Sequence, residues 1–175
     1  DLPSAAKILY GFIVLYVLIT ILSLFLPETY IWSALFFLSI IDDVTAAIQQ
    51  RYPYVRFSVM SGKPSEGLKT DWDFVAWSKE GEEAWLRSID VGIMPLVDDE
   101  WSRGKCAFKL LQYMAYGKPV IASAVGANYA AVLHGESGFR AQRLDEGHSA
   151  FEIMFTNRAG SLCMGQASLC LFVLH

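Results

Sequence analysis

Lys105, Lys109 and Gln112 are the residues of this 175-residue chain whose types and spacing point most directly to chemistry. The stretch Gly104 to Tyr116 reads as a helix, closed by Gly117 where a C-cap glycine belongs. At about 100° per residue the two lysines and the glutamine fall on one narrow face. Cys106, Leu110, Tyr113 and Met114 then take the opposite, core-facing side. Arg103 and Lys105 crowd the start of that helix, where the backbone dipole is already positive, and an anion bound there would relieve the conflict. Periodicity alone allows a second reading, in which Asp98, Asp99 and Glu100 supply the negative charge and the lysines solvate an ordinary surface.

The elements around this helix place it at the ligand-binding edge of a sheet. Val91 to Leu96 is a continuous apolar run, which suits a strand buried on both faces of a parallel sheet. An acidic loop, Val97 to Glu100, leads to the helix; Pro119 then opens a strand over Val120 to Val125, and Gly126 turns into a helix from Asn128 through Leu133. Upstream, Asp43 to Gln50 reads as the end of a helix, Val55 to Met60 as a strand closed by Ser61-Gly62, and Trp72 to Ser78 as another strand. Gly81-Glu82-Glu83 opens a short helix ending near Ser88. Strands and helices alternating at this spacing predict a doubly wound α/β fold, a Rossmann-like parallel sheet. In such sheets ligands sit beyond the carboxyl ends of the strands, here between Leu96 and Lys109.

Composition narrows the partners. A formal net charge of −4 and a pI near 5.3 argue against nucleic acid, whose backbone calls for a surplus of Lys and Arg on one face. A small anionic ligand needs only a few local cations. Cys106, Cys163 and Cys170 form an odd set without metal-ligand spacing to His134, His148 or His175. They read as free thiols in a reducing compartment, which predicts a cytoplasmic protein. No G-x-G-x-x-G stands at a strand-to-helix turn, so a nicotinamide oxidoreductase is disfavoured.

The first quarter is of a different kind. From Ile8 to Pro27 there is no charged residue, and a second uncharged run follows from Thr29 to Ile41. The first run is long enough to span a bilayer, with Lys7 before it, Glu28 after it, and Tyr10, Tyr16, Tyr30 and Trp32 where interfacial aromatics would lie. A membrane association, a buried helix with an apolar insertion, and a stretch foreign to the rest of the domain all fit. A signal peptide fits poorly, because the run is too long for an h-region and no small-residue cleavage pattern follows. The chain opens on Asp1, partway through what reads as a motif, so a truncated start is expected.

The run from Asp90 to Leu96, the segment Asp98-Asp99-Glu100-Trp101 and the stretch from Gly104 to Ser123 together closely resemble the group 1 glycosyltransferases, glycosyltransferase family four. His134-Gly135-Glu136-Ser137-Gly138-Phe139 resembles the turn that follows in that family. Weaker similarity runs back through Tyr52 to Arg56 as far as Gly62, and Pro3-Ser4-Ala5-Ala6-Lys7 looks like the phosphate-side loop and helix start that follow the domain's first strand. The division expected from this is a family-like helix start and apolar insertion or membrane segment over residues 1–41, a nucleotide-sugar-binding domain over 42–145, and a weakly matched tail over 146–175.

The resemblance implies a GT-B enzyme, in which two Rossmann-like domains face a cleft and the second binds a nucleotide-diphosphate sugar, commonly without an essential metal. This chain would be that second, C-terminal domain, working with an N-terminal acceptor-binding domain that lies outside it. No cofactor beyond the donor substrate is implied. The reaction implied is sugar transfer, generally with retention, to a glycan, lipid or other acceptor, as in polysaccharide biosynthesis. Many members hold donor sugar and ribose with two glutamates eight positions apart; here Gly104 and Gln112 stand at those places. On this resemblance Lys105 and Lys109 are the candidates to neutralise the diphosphate, Gln112 to meet the ribose hydroxyls, and Ser4 either to donate to a phosphate from a helix N-terminus or to serve as a plain N-cap. Phe108 is placed at the pocket wall or in ordinary helix packing, and Trp77 near the base or in the core. A membrane-anchored binding protein without turnover, or an inactive remnant of the enzyme, is the competing class.

Overall fold

The structure, a computed structural model, describes residues 27–64 and 66–174. Ser4 and the uncharged run from Ile8 to Leu26 lie outside them. The first element, α1 (Pro27–Arg51), begins on a proline, whose fixed φ and missing N–H suit a first helical turn. It runs without interruption through residues 41 and 42, so the expected boundary there is not marked by a loop. Among the described residues no helix is long and apolar enough to cross a membrane.

Five parallel strands follow, in two groups. β1 (Phe57–Ser61) pairs with β2 (Trp72–Ala76) in parallel, Phe57 opposite Trp72. β3 (Gly92–Met94), β4 (Val120–Ser123) and β5 (Gly138–Ala141) form a second parallel sheet in that order. β1 to β4 fall on the expected strand segments with their ends shifted or shortened, whereas β5, which no expected strand covered, and the division into two sheets were not anticipated, since no strand among the described residues bridges β1 and β3.

Helices cover both sheets. α2 (Lys79–Ser88) starts ahead of Gly81, since Ser78 caps it by accepting the Gly81 N–H at 3.0 Å. The predicted helix over Gly104 to Tyr116 is instead two: α3 (Glu100–Arg103) and α4 (Phe108–Ala115). Gly104 caps the first, and Ala107 turns the chain at φ +54° before the second begins. A left-handed alanine is uncommon; it is held here because its small side chain is buried in the core beneath α4. Gly117, at φ +65°, ends α4 as expected, its N–H donating to the Met114 carbonyl. After the short α5 (Asn128–Ala131), the tail is ordered as α6 (Leu144–Thr156) and α7 (Arg158–Leu174). α7 is tied down where Ser168 Oγ donates to the Ser137 carbonyl at 2.6 Å and where Gly165 meets the Gly117 carbonyl, in a gap no Cβ would fit.

Two apolar clusters result. Val44 and Ile48 of α1 and Phe151 and Met154 of α6 close over Phe57 and Ile121, one residue from each sheet. Leu110, Tyr113 and Met114 of α4 pack with Leu86, Val120 and Val132. Gly92 lets α4 lie directly on β3, since a Cβ there would come within 2.3 Å of the Tyr113 ring.

Asp42 fastens α1 to the loop ahead of β2. Its buried carboxylate accepts the N–H groups of Lys69 at 2.7 Å and Thr70 at 3.0 Å. Burial pushes its pKa up, but those N–H bonds outweigh burial and hold it below the ordinary 3.8. A depressed carboxylate stabilises the fold above the unfolded pKa, and that contribution fades as pH falls through the folded value. Asp42→Asn should therefore cost about 1–3 kcal/mol at pH 7. Urea titrations should show the gap between the variant and the parent chain narrowing below about pH 4; a gap independent of pH would contradict this role.

Candidate functional site

The carboxyl ends of the strands are held together by short links. Ser123, the last residue of β4, accepts the Leu96 N–H through its Oγ at 2.8 Å, joining the exits of β3 and β4. Asp99 caps α3 by accepting the Ser102 N–H at 2.6 Å, a bond that keeps its carboxyl below the usual range. Arg103 Nε donates to Asp98 at 2.6 Å. Gly126, at φ +52°, turns directly against the Arg103 carbonyl, where a Cβ would approach to 2.7 Å. That close approach, not a ligand, accounts for this glycine.

The break between α3 and α4 decides where the predicted site residues go. Lys105 lies in the loop, not on the helix, so it does not share a helical face with Lys109 and Gln112. Its Nζ sits 3.8 Å from the centroid of the Phe37 ring and 4.8 Å from that of Trp101. Burial among these groups pushes the ammonium below its usual pKa, with Asp99 partly opposing. Cys106, expected on the core side, is exposed, because the loop turns it away from the helix packing surface. Cys163 and Cys170 are exposed free thiols as well.

Lys109 and Gln112 do share a face of α4, and both reach one carboxylate. Lys109 Nζ and Gln112 Nε2 donate to the same Glu82 Oε1, at 3.2 and 3.3 Å. The Glu82 side chain retains 24% of its exposure. The remaining Gln112 atom, Oε1, is buried and accepts from no described residue. Trp77, Glu82, Lys105 and Lys109 line a cavity of about 890 Å³. The structure thus brings Lys109 and Gln112 together on Glu82 and puts Lys105 with Lys109 on the wall of one cavity, leaves Phe108 on the surface at 58% exposure, and keeps Trp77 out of the core at 57%. Glu82 was not anticipated, since it meets α4 only through packing of two helices separated by about a strand and a loop in sequence, and no local pattern signals that.

A second cavity, of about 820 Å³, opens at the ends of β3, β4 and β5 and is lined by Leu96, Ser123, Gly126 and Gln142 among others. Its cations are already matched: Arg103 to Asp98, and Arg143 to Asp145 at 2.7 Å. The Arg143 guanidinium holds the Asp145 pKa at about 2.

Residues 33–154 match the family of glycosyl transferases group 1, and the chain belongs to that family. Over 91 residues it is 32% identical to a D-inositol 3-phosphate glycosyltransferase of Pseudarthrobacter chlorophenolicus, an alignment covering 49% of this chain and 20% of that protein. The chain therefore spans about a fifth of that relative's length. Its fold is similar to the C-terminal domain of LpcC, a glycosyl transferase group 1 family protein of Francisella tularensis, with a TM-score of 0.62 at 16% identity over 79% of each chain. It is also similar to Anabaena HepE in complex with UDP, with a TM-score of 0.61 at 16% identity over 77% of this chain and 40% of that one.

Cation–aromatic contacts of this kind are worth roughly 0.5–1 kcal/mol at partly exposed sites. A double-mutant cycle with Lys105→Ala and Phe37→Ala, read by chemical denaturation, should show coupling of about that size. Coupling of zero would release Lys105 from the rings of α1 and α3.

Proposed function

We propose that this chain is the donor-binding part of a glycosyltransferase and holds a nucleotide-diphosphate sugar against α4. The observation that carries the reading is the convergence of Lys109 and Gln112 on Glu82, with Lys109, Glu82 and Lys105 in the wall of one cavity. Lys109 neutralises the diphosphate through charge-assisted hydrogen bonds, and Lys105 adds positive potential from the loop. The buried, unpartnered Oε1 of Gln112 accepts from a ribose hydroxyl, which supplies the bond it otherwise lacks. Exposed Trp77 offers a flat surface to the base. Ser4, outside the described residues, remains a donor to phosphate in this proposal. UDP and UDP-glucose in the Anabaena HepE complexes support a nucleotide-sugar donor. Transfer itself, with retention, uses an acceptor domain beyond this chain and ends on a glycan, lipid or other acceptor.

One observation favours binding without turnover: Gly104 and Gln112 stand where many relatives carry glutamates, so the donor sugar loses a carboxylate contact. Sugar transfer by the full-length protein separates the two readings.

Calorimetry of the chain with UDP, GDP and their sugars should show binding, and NAD should show none. Lys109→Ala should weaken the diphosphate by roughly 1.5–3 kcal/mol, about 10- to 150-fold, with little loss of stability. Gln112→Glu should preserve or improve affinity. Unchanged affinity in both variants, with the fold intact, removes the donor from α4; binding of NAD alone removes the nucleotide sugar altogether.

A further inference from the structure

The cavity of about 820 Å³ at the carboxyl ends of β3, β4 and β5 is left free by the proposed donor. Its volume is within the roughly 300–1,000 Å³ of small-molecule sites. It stands where open parallel sheets hold ligands, around Leu96, Ser123 and Ala141. Ile40, Ile41 and Val44 of α1, Ile121 of β4, and Leu144 and Phe151 of α6 give it an apolar wall. Its neutral polar groups have bonding capacity to spare. Ser123 Oγ accepts the Leu96 N–H, which leaves its own proton to donate. Gln142 Nε2 donates to the Tyr129 hydroxyl at 2.6 Å, which leaves the Tyr129 proton and the Gln142 Oε1 for another partner.

The charged groups of this cavity are spent on one another. Arg103 is bonded to Asp98, and Arg143 forks onto Asp145 with bonds of 2.9 and 2.7 Å. Each cation therefore has a carboxylate, whereas in the neighbouring 890 Å³ cavity Lys105 meets aromatic rings and no carboxylate bond among the described residues. An apolar wall with unspent hydroxyl and amide groups and no surplus charge suits a neutral amphiphile, an alkyl chain carrying a hydroxyl-bearing head. The two cavities also adjoin: Ile93, Met94, Pro95, Leu96 and Phe151 line both. Molecules held in the two lie across the end of β3 from one another, as two reactants must for a group to pass between them.

We propose that this cavity holds the apolar part of the acceptor, and that the acceptor is a neutral alkyl- or lipid-linked alcohol whose head is bonded by Ser123, Tyr129 and Gln142. In the transfer the acceptor oxygen bonds the anomeric carbon of the donor, the bond from that carbon to the diphosphate breaks, and the hydroxyl proton leaves with the diphosphate. The acceptor role rests on the donor proposal; the neutral-ligand site stands on the cavity alone.

Octyl β-D-glucopyranoside, kept below its micelle concentration, is the probe, titrated into the full chain by calorimetry with and without UDP. It should bind in both cases, and glucose and octyl sulfate should each bind about 10-fold or more weakly. Gly147 lies in the cavity wall, and a Cβ there would meet no heavy atom within 4 Å. Gly147→Phe therefore fills the space without a backbone clash and removes a glycine from α6. It should weaken octyl glucoside about 10-fold or more, with retained UDP binding as the control for an intact fold. A second measurement needs no variant: nuclear Overhauser contacts should run from the octyl chain to the methyl groups of Ile41, Leu96 and Leu144. Competition with UDP, tighter binding of octyl sulfate, affinity indifferent to Gly147→Phe, or octyl contacts to the exposed Leu169 and Val173 of α7 instead would each overturn the proposal. If UDP binds and octyl glucoside does not, this site alone falls. If octyl glucoside binds here and UDP does not bind at all, the donor proposal falls and the acceptor role with it.

Discussion

The packing of Phe151 against Phe57 is the contact on which the rest of the structure depends. Phe151 is buried on α6, Phe57 on β1, and their rings meet edge to face with centroids 5.8 Å apart. Phe57 belongs to the first sheet; Ile121, in the same cluster, belongs to the second. Among the described residues no strand pairing joins the sheets, and side chains from α1 and α6 pack across both. Burial of a phenylalanine is worth roughly 1.5–3 kcal/mol, and its truncation in a core costs about 3–5. Apolar burial is not directional, so the helices packed against both sheets can gather them around one core without a hydrogen bond between them.

A second constraint, close packing of α4 on β3, sets the candidate site. Gly92 admits the Tyr113 ring, whose hydroxyl is pushed up to about 12 by burial. Ala107, buried and left-handed, sets where α4 starts. With the start fixed, Lys109 and Gln112 must project toward α2, and Glu82 in the first turn of α2 is the group they meet. Lys105, one turn earlier and off the helix, is left to the aromatic rings of α1 and α3. One local backbone choice thus separates two lysines that a continuous helix would have aligned.

β3 and β4 were legible because burial on both faces writes itself as an uninterrupted apolar run, as in Val91 to Leu96 and Val120 to Val125, whereas β5, with Arg140 in its four residues, carries no such run. The end of α4 was legible for the same kind of reason, since a left-handed residue after a helix is written as glycine, and Gly117 is one. Its beginning was not: the left-handed residue there is Ala107, whose conformation is held by tertiary burial and leaves no mark in the sequence. The misplacement of Lys105 and of Cys106 both follow from that single helix start. Glu82 was illegible for a different reason, because its contacts with Lys109 and Gln112 span two helices and depend on how they pack. The tail helices carry little periodicity, and α7 docks through Ser168 and Gly165, small residues whose value lies in what they allow to approach.

The pairing of Lys109 with Glu82 bears on how the site could take an anion. A partly exposed ion pair is worth about 0–1 kcal/mol, whereas a charge-assisted hydrogen bond to phosphate is worth roughly 1.5–3. Lys109 therefore exchanges its partner at little cost. Its ammonium sits on a flexible stem, half exposed, and needs only a small swing. Glu82 does not lose all its bonds in the exchange, because Gln112 Nε2 still donates to it. The glutamine is then fixed with Nε2 toward Glu82 and Oε1 toward the side with no protein partner. Glu82 consequently does two things on the proposed reading: it holds Lys109 in place before the donor arrives, and it orients Gln112 to accept rather than donate. A lysine at an otherwise similar surface without that carboxylate would be free to turn into solvent, and the glutamine free to flip; the acidic side chain that looks hostile to an anion is what keeps its two binding groups arranged.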